Sequence, residues 1–217
     1  MMARAKRVAD LPSLTVAELA RAVGEIAPPA LAEEWDRVGL QVGDPSARVG
    51  RVMTCLELSP PTLEEAIERR ADAIVAHHPL IFRPLESMNL AQPVARLVAG
   101  LLKGGIALIA AHTNLDAAAW GTNQVLAAAL GLTVEGPLFP REEDPTTGLG
   151  CQARLDKPER ADRLAEGFRQ RLGLPGVRFA GPPDRKVRRV GIISGSGGSF
   201  VAPVACRAEL LVTGEMN

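Results

Sequence analysis

The three histidines of this chain, His77, His78 and His112, fall within one 36-residue window. Each stands where an apolar, β-like run gives way to a loop, and in open α/β sheets the carboxyl ends of strands are where ligands bind. Imidazole is both a metal ligand and a proton-transfer group near neutral pH. Neighbouring side chains on extended backbone point in opposite directions, and Pro79 disfavours helical geometry at His78. The tandem pair can therefore serve two metal ions a few ångströms apart. Asp116, in the segment His112-Thr113-Asn114-Leu115-Asp116, has two oxygens with which to bridge them, as in two-metal hydrolytic sites. Imidazole and carboxylate donors suit Zn, Fe, Ni, Co or Mn without choosing among them. The same residues also fit a polar strand terminus bonded to loop backbone, with Asp116 as a cap or turn residue. No H-x-x-x-H or H-E-x-x-H pattern breaks the tie. Spacing alone leaves both open.

Other segments offer less. Ser194-Gly195-Ser196-Gly197-Gly198-Ser199 follows a β-like run, so its amides could cradle an anion. Phe200 stands where a dinucleotide fingerprint needs its third glycine, Gly-Lys-Ser/Thr is absent, and no serine meets the G-x-S-x-G pattern. A tight turn for close backbone packing is the plainer account. Arg185-Lys186-Val187-Arg188-Arg189, in and just before a strand, reads as a solvated edge more than a nucleic-acid patch. Cys55, Cys151 and Cys206 are odd in number and far apart, which fits neither a disulfide framework nor a zinc knuckle.

Composition narrows the classes. Lys+Arg 25 against Asp+Glu 25 gives zero net charge, against bulk electrostatic gripping of nucleic acid. Aromatics are only 3%, with no tyrosine, so base-stacking platforms have little material. Hydrophobic residues at 47% of 217 allow a real core. No apolar run approaches the roughly 18 residues that cross a bilayer. The segment 1–10 is basic but leads into Pro12 and polar residues, not a signal core. The expectation is a soluble, cytoplasmic protein.

The elements that must position these residues alternate. A helix is predicted over 15–26, with Thr15 and Glu18 spaced as a capping box and Pro28-Pro29 ending it. Strands are predicted over 51–57, 73–76 and 106–111, the last apolar on both faces. Helices are predicted over 63–70, headed by a Thr62/Glu65 box, over 93–103 and over 122–130 with Gly131 as C-terminal cap. Beyond a Pro/Gly/acidic stretch at 136–150 come strands at 151–155, 177–179, 187–193 and 209–212 and a helix at 159–172. This order implies an α/β protein of two lobes with mixed sheets covered by helices. Residues 1–135 form the first lobe, 136–150 a linker and 151–217 a second lobe.

Several segments together resemble one family, the NIF-three-like dinuclear-metal proteins, also catalogued as GTP cyclohydrolase type 2 homologues. They are Trp35-Asp36-Arg37-Val38-Gly39-Leu40-Gln41-Val42-Gly43, Ala76-His77-His78-Pro79-Leu80-Ile81-Phe82, Ala111-His112-Thr113-Asn114-Leu115-Asp116-Ala117-Ala118, 128–132, 190–200 and Leu211-Val212-Thr213-Gly214-Glu215. The resemblance implies a metal pair in the cleft between the lobes, one ion each for His77 and His78, Asp116 as the bridge, and a hexamer built from trimers. It also marks departures. The family's later His-x-x-x-Glu ligands have no counterpart before Asn217, which implies a chain incomplete at its C-terminus or a degenerate paralogue, with under-occupied metal sites. Glu57 and Glu215 stand where the family usually has Asp, and Cys151 where it often has Arg.

The expected function is divalent-metal binding of hydrolase type, on a nucleotide, phosphoester or heterocyclic substrate, with Glu57 and His112 as candidate general bases. The alternative is a ring-forming scaffold or partner-binding protein whose metal is structural or vestigial.

Overall fold

A computed structural model describes residues 14–216; the basic segment 1–10 lies outside the described residues. These residues divide into two compact units, the boundary falling between Asn114 and Leu115.

In the first unit, β1 (Leu14–Thr15) leads into α1 (Val16–Ile26). The Thr15 hydroxyl accepts from the Glu18 amide, and the Glu18 carboxylate accepts from the Thr15 amide at 2.7 Å, the reciprocal cap predicted from the spacing. Then follow β2 (Gly39–Val42), β3 (Arg48–Val49), β4 (Val52–Cys55), α2 (Pro60–Glu68), β5 (Ala73–Ala76), α3 (Pro93–Gly104) and β6 (Ala107–Ala110). The main sheet runs β2-β6-β5-β4, with β4, β5 and β6 parallel and β2 antiparallel to β6.

Alternation along the strands splits the core. Ile74 and Leu108 pack with Leu63 and Ala66 of α2 and with Leu97, Val98 and Leu101 of α3. Their neighbours Ala73 and Ala107 face Val16 of α1 and Val49. Helices thus cover both faces, and each fully buried Ile or Leu contributes about 1.5–3 kcal/mol.

The second unit takes in most of α4 (Thr113–Ala117), then α5 (Thr122–Ala129), β7 (Thr133–Gly136), β8 (Phe139–Pro140), β9 (Gly148–Leu149), β10 (Cys151–Arg160), α6 (Ala161–Arg171), β11 (Lys186–Ser196), α7 (Val201–Val204) and β12 (Leu210–Glu215). Its sheet runs β12-β11-β10-β7, parallel only between β11 and β12. Leu130, Phe168, Val190 and Ile192 build one core against α5 and α6. Leu138, Ile193 and Val204 build another on the opposite face.

Several expectations differ from what is found. The unit boundary precedes 136–150 because α5 packs its Ala127 against β10 and β11, so 115–135 belongs with the second sheet. Segment 136–150 holds β8 and β9, paired antiparallel. Residues 177–179 form no strand. α2 starts at Pro60 under a Ser59 cap, the Ser59 hydroxyl accepting from the Thr62 amide; proline at the first helical position sets the start earlier than the Thr62/Glu65 box. The basic stretch at 185–189 lies on an inner strand, not an edge: Val187 is buried while Arg189 turns outward to pair with Glu209 at 2.8 Å.

Candidate metal centre

The register of the first sheet assembles the histidines. β5 and β6 run parallel with Ala76 opposite Ala110, so the residues leaving β5 emerge beside those leaving β6. Backbone bonds continue past the strand ends: the His77 amide donates to the Cys55 carbonyl, the His78 amide to Leu56, and the Ala111 amide to Ala76. His77, His78 and His112 consequently converge, each offering one ring nitrogen so that the three lie within 4.8 Å of one another. Ring centroids are 5.1 Å apart for His77–His78, 5.2 Å for His77–His112 and 5.6 Å for His78–His112.

The donor chemistry fits a divalent metal. His77 Nδ1 lies 2.8 Å from the Ala111 carbonyl oxygen. A carbonyl only accepts, so Nδ1 carries the proton and Nε2 keeps its lone pair, the arrangement usual for a ligating histidine. His78 is exposed and its Nδ1 is 3.7 Å from Glu57, outside hydrogen-bond range but within ion-pair reach. His112 Nδ1 lies 2.9 Å from Asp36 Oδ1. Cys55 stands at the end of β4. Burial, aided by the nearby Glu57 charge, pushes its thiol up.

Asp36, within the 35–43 segment, is a site residue that no spacing rule in the sequence picks out. It is 7% exposed. Burial alone would raise its carboxyl, but hydrogen bonds from His112, Thr113 and Arg37 outweigh that and hold it below the ordinary carboxylate value. In the sequence it sits in the charged run Glu33-Glu34-Trp35-Asp36-Arg37 ahead of β2, which reads as a solvated stretch. Nothing local marks it.

Two exposed aromatic rings border the histidines. Trp35, 54% exposed, meets His112 edge-to-face at 6.2 Å and Phe82, 43% exposed, at 5.8 Å. Gln41 anchors the loop that carries Phe82: its side-chain amide donates to the Ile81 carbonyl and accepts from the Ile81 amide, as a neighbouring strand would.

The remaining predicted site residues are placed as follows. Glu57 faces His78, as above. Asp116 lies in α4 within the second unit, where its carboxylate accepts from the hydroxyls of Thr122 and Ser194 and its carbonyl from Asn123 at 2.9 Å. In the glycine segment the Ser194 amide donates to Asn123 Oδ1 and the Gly197 amide to the Glu215 carbonyl. Those two amides are spent on packing, and β11 continues through Ser196 where a loop was expected from Gly195.

The profile of the Duf34/NIF3 (NGG1p interacting factor 3) family matches residues 14–217. This chain belongs to the DUF34/NIF3 family. Within it, the chain is 38% identical over 207 residues to the GTP cyclohydrolase 1 type 2 homolog of Streptomyces coelicolor, covering 93% of this chain and 73% of that protein. Among solved structures it is similar to a Staphylococcus aureus hypothetical protein at TM-score 0.88 and 28% identity, covering 95% of this chain and 80% of that one. A Bacillus cereus protein related to NIF3 matches in fold at TM-score 0.87 and 24% identity, covering 95% and 84%. The DUF34/NIF3 fold is thus the mixed α/β fold described above. No helix among the described residues is long and apolar enough to cross a membrane.

Proposed function

We propose that this DUF34/NIF3 protein binds divalent metal and acts as a hydrolase on a small substrate containing a planar ring. The observation that carries the reading is the convergence of three imidazoles at two adjacent strand ends, with His77 held in the tautomer that leaves Nε2 available. A divalent metal, when bound, supplies Lewis acidity and lowers the pKa of a coordinated water to near neutral.

The chain's own groups supply the rest. His77, His78 and His112 hold the ion, and the backbone bonds at 77, 78 and 111 keep their approach fixed. Glu57, beside the outermost imidazole, is placed to accept a proton from the reacting water or substrate. Trp35 and Phe82 offer apolar ring faces beside the cluster, which favours a heterocyclic or nucleotide substrate over a bare phosphoester. The name borne by the Streptomyces relative agrees with hydrolase-type chemistry on such a ring. From the resemblance alone, Asp116 is proposed as a bridging carboxylate for a second ion, and the working assembly as a cytoplasmic homohexamer.

The test is elemental analysis of the purified chain after mild chelation and dialysis. Bound metal near one or two atoms per chain, lost on His77→Ala and His112→Ala, is expected; a metal-free wild type that refuses Zn²⁺ and Co²⁺ overturns the reading. Asp116→Ala is expected to remove most of any second ion. Unchanged occupancy there sinks the bridge and leaves the three-histidine site standing.

A further inference from the structure

The three imidazoles are not equally supported. His77 is oriented by a neutral carbonyl, and His78 has Glu57 only at ion-pair distance. His112 is backed by a buried carboxylate, that of Asp36.

Asp36 Oδ1 accepts from the Arg37 amide at 2.7 Å and faces His112 Nδ1 at 2.9 Å. Its Oδ2 accepts from the Thr113 amide at 3.0 Å and from the Thr113 hydroxyl. That hydroxyl itself accepts from the Glu33 amide, so its proton is directed at Asp36. A backbone N–H can only donate. One such N–H points at each oxygen and the Thr113 hydroxyl donates to Oδ2 as well, a donor set that favours the carboxylate, the stronger acceptor, over the carboxylic acid. The ring nitrogen facing Oδ1 must then be the donor. On the other side of the same loop, Asn114 accepts from the His112 amide and donates to the Ala27 carbonyl, which fixes the backbone that carries the ring.

We propose that Asp36 is the positioning residue of the histidine cluster: it holds His112 as the Nδ1–H tautomer, leaves the Nε2 lone pair facing the cluster, and provides the negative charge that three neutral imidazoles lack toward a divalent ion. The tautomer stands on the hydrogen bonds alone; the role toward metal rests on the function proposed above. Carboxylate–histidine pairs of this kind orient ligands and raise their basicity, and losing one typically weakens metal affinity about 10–100-fold.

Asparagine cannot replace Asp36 silently. It has one acceptor oxygen where two backbone N–H groups demand two, so its NH₂ must either abandon the Thr113 amide or donate to His112 Nδ1 and move that proton to Nε2.

The experiment starts with the metal-free, ¹⁵N-labelled chain at a pH where the imidazoles are neutral. Long-range proton–nitrogen correlations of the three histidine rings are recorded, with His112→Gln to assign its signals. The expected result is an Nδ1–H ring at His112, altered in Asp36→Asn and preserved in Thr113→Val, which deletes the hydroxyl, and with it the acceptor of the Glu33 amide, but keeps the backbone N–H contacts to Asp36. Zn²⁺ and Co²⁺ titrations are expected to show affinity about 10–100-fold weaker in Asp36→Asn. An Nε2–H ring at His112 in the wild type overturns the proposal, and needs no variant to fold. Wild-type metal affinity in a folded Asp36→Asn also overturns it. A wild type that binds neither ion while showing Nδ1–H at His112 upholds the tautomer and overturns the metal-binding function instead.

Discussion

Single side chains in this protein are governed by what lies within hydrogen-bond reach, and the three cysteines make that measurable. Cys151 is fully buried on β10, and burial pushes its thiol up to about 11, whereas Cys206 is exposed. Thiolate is the reactive form, so at mildly alkaline pH a thiol reagent is expected to label Cys206 at once and Cys151 only on unfolding. Rapid labelling of two or three thiols in the native state would contradict this. Arg70 makes a second case. It has φ of 53°, at the end of α2, where the Arg70 amide donates to Ile67 and the Ala71 amide to Ala66. A left-handed residue closing a helix is normally glycine, and a side chain there costs about 1 kcal/mol or more. Arg70→Gly is therefore expected to raise stability by about 0.5–1 kcal/mol after the extra chain entropy of glycine is deducted, read as a higher urea midpoint.

Elements are held by close approach and by surface charge. Gly43 follows β2 with φ of 123°, and a Cβ there would lie 2.8 Å from the Ala107 Cβ and 2.9 Å from its Cα. Backbone cannot yield as a side-chain tip does, so Gly43→Ala is expected to cost about 2–3 kcal/mol, measured by denaturant unfolding. On α6, the guanidinium of Arg169 and the amide of Gln170 draw the Glu166 carboxyl down to about 2 from an ordinary 4.5. A lowered acid contributes stability above its ordinary value and loses it as pH falls toward the folded one. Stability is expected to decline between those two pH values with a slope that Glu166→Gln flattens. Legibility followed the same division. The strand at 73–76 and the Thr15/Glu18 cap could be read because local rules decide them, and the structure has them there. β2 and β7 were not anticipated, because four residues that include a glycine are too short for a period to stand out and become strands through their neighbours. The histidines were legible as strand-end residues, and parallel pairing brings strand ends together. Asp36 was not, since 76 residues separate it from His112 and no regular element carries it.

At the scale of the whole molecule, balanced charge is the dominant bulk property. Zero formal net charge at pH 7 removes the mutual repulsion that keeps proteins apart, so a solubility minimum is expected near neutrality, weakening on either side, by light scattering across pH. The order of strands in the first sheet has a consequence of a different sort, for the time course of synthesis. β2 pairs only with β6 in that sheet, and β6 also pairs with β5, so the strand made last links β2 to the β5–β4 pair. While the ribosome is adding residues 43–106, β2 waits with no partner and Leu108, a central core residue, does not yet exist. The nascent chain stays unclosed until 107–110 emerge, and then the sheet and the loops bearing all three histidines are completed in nearly the same step.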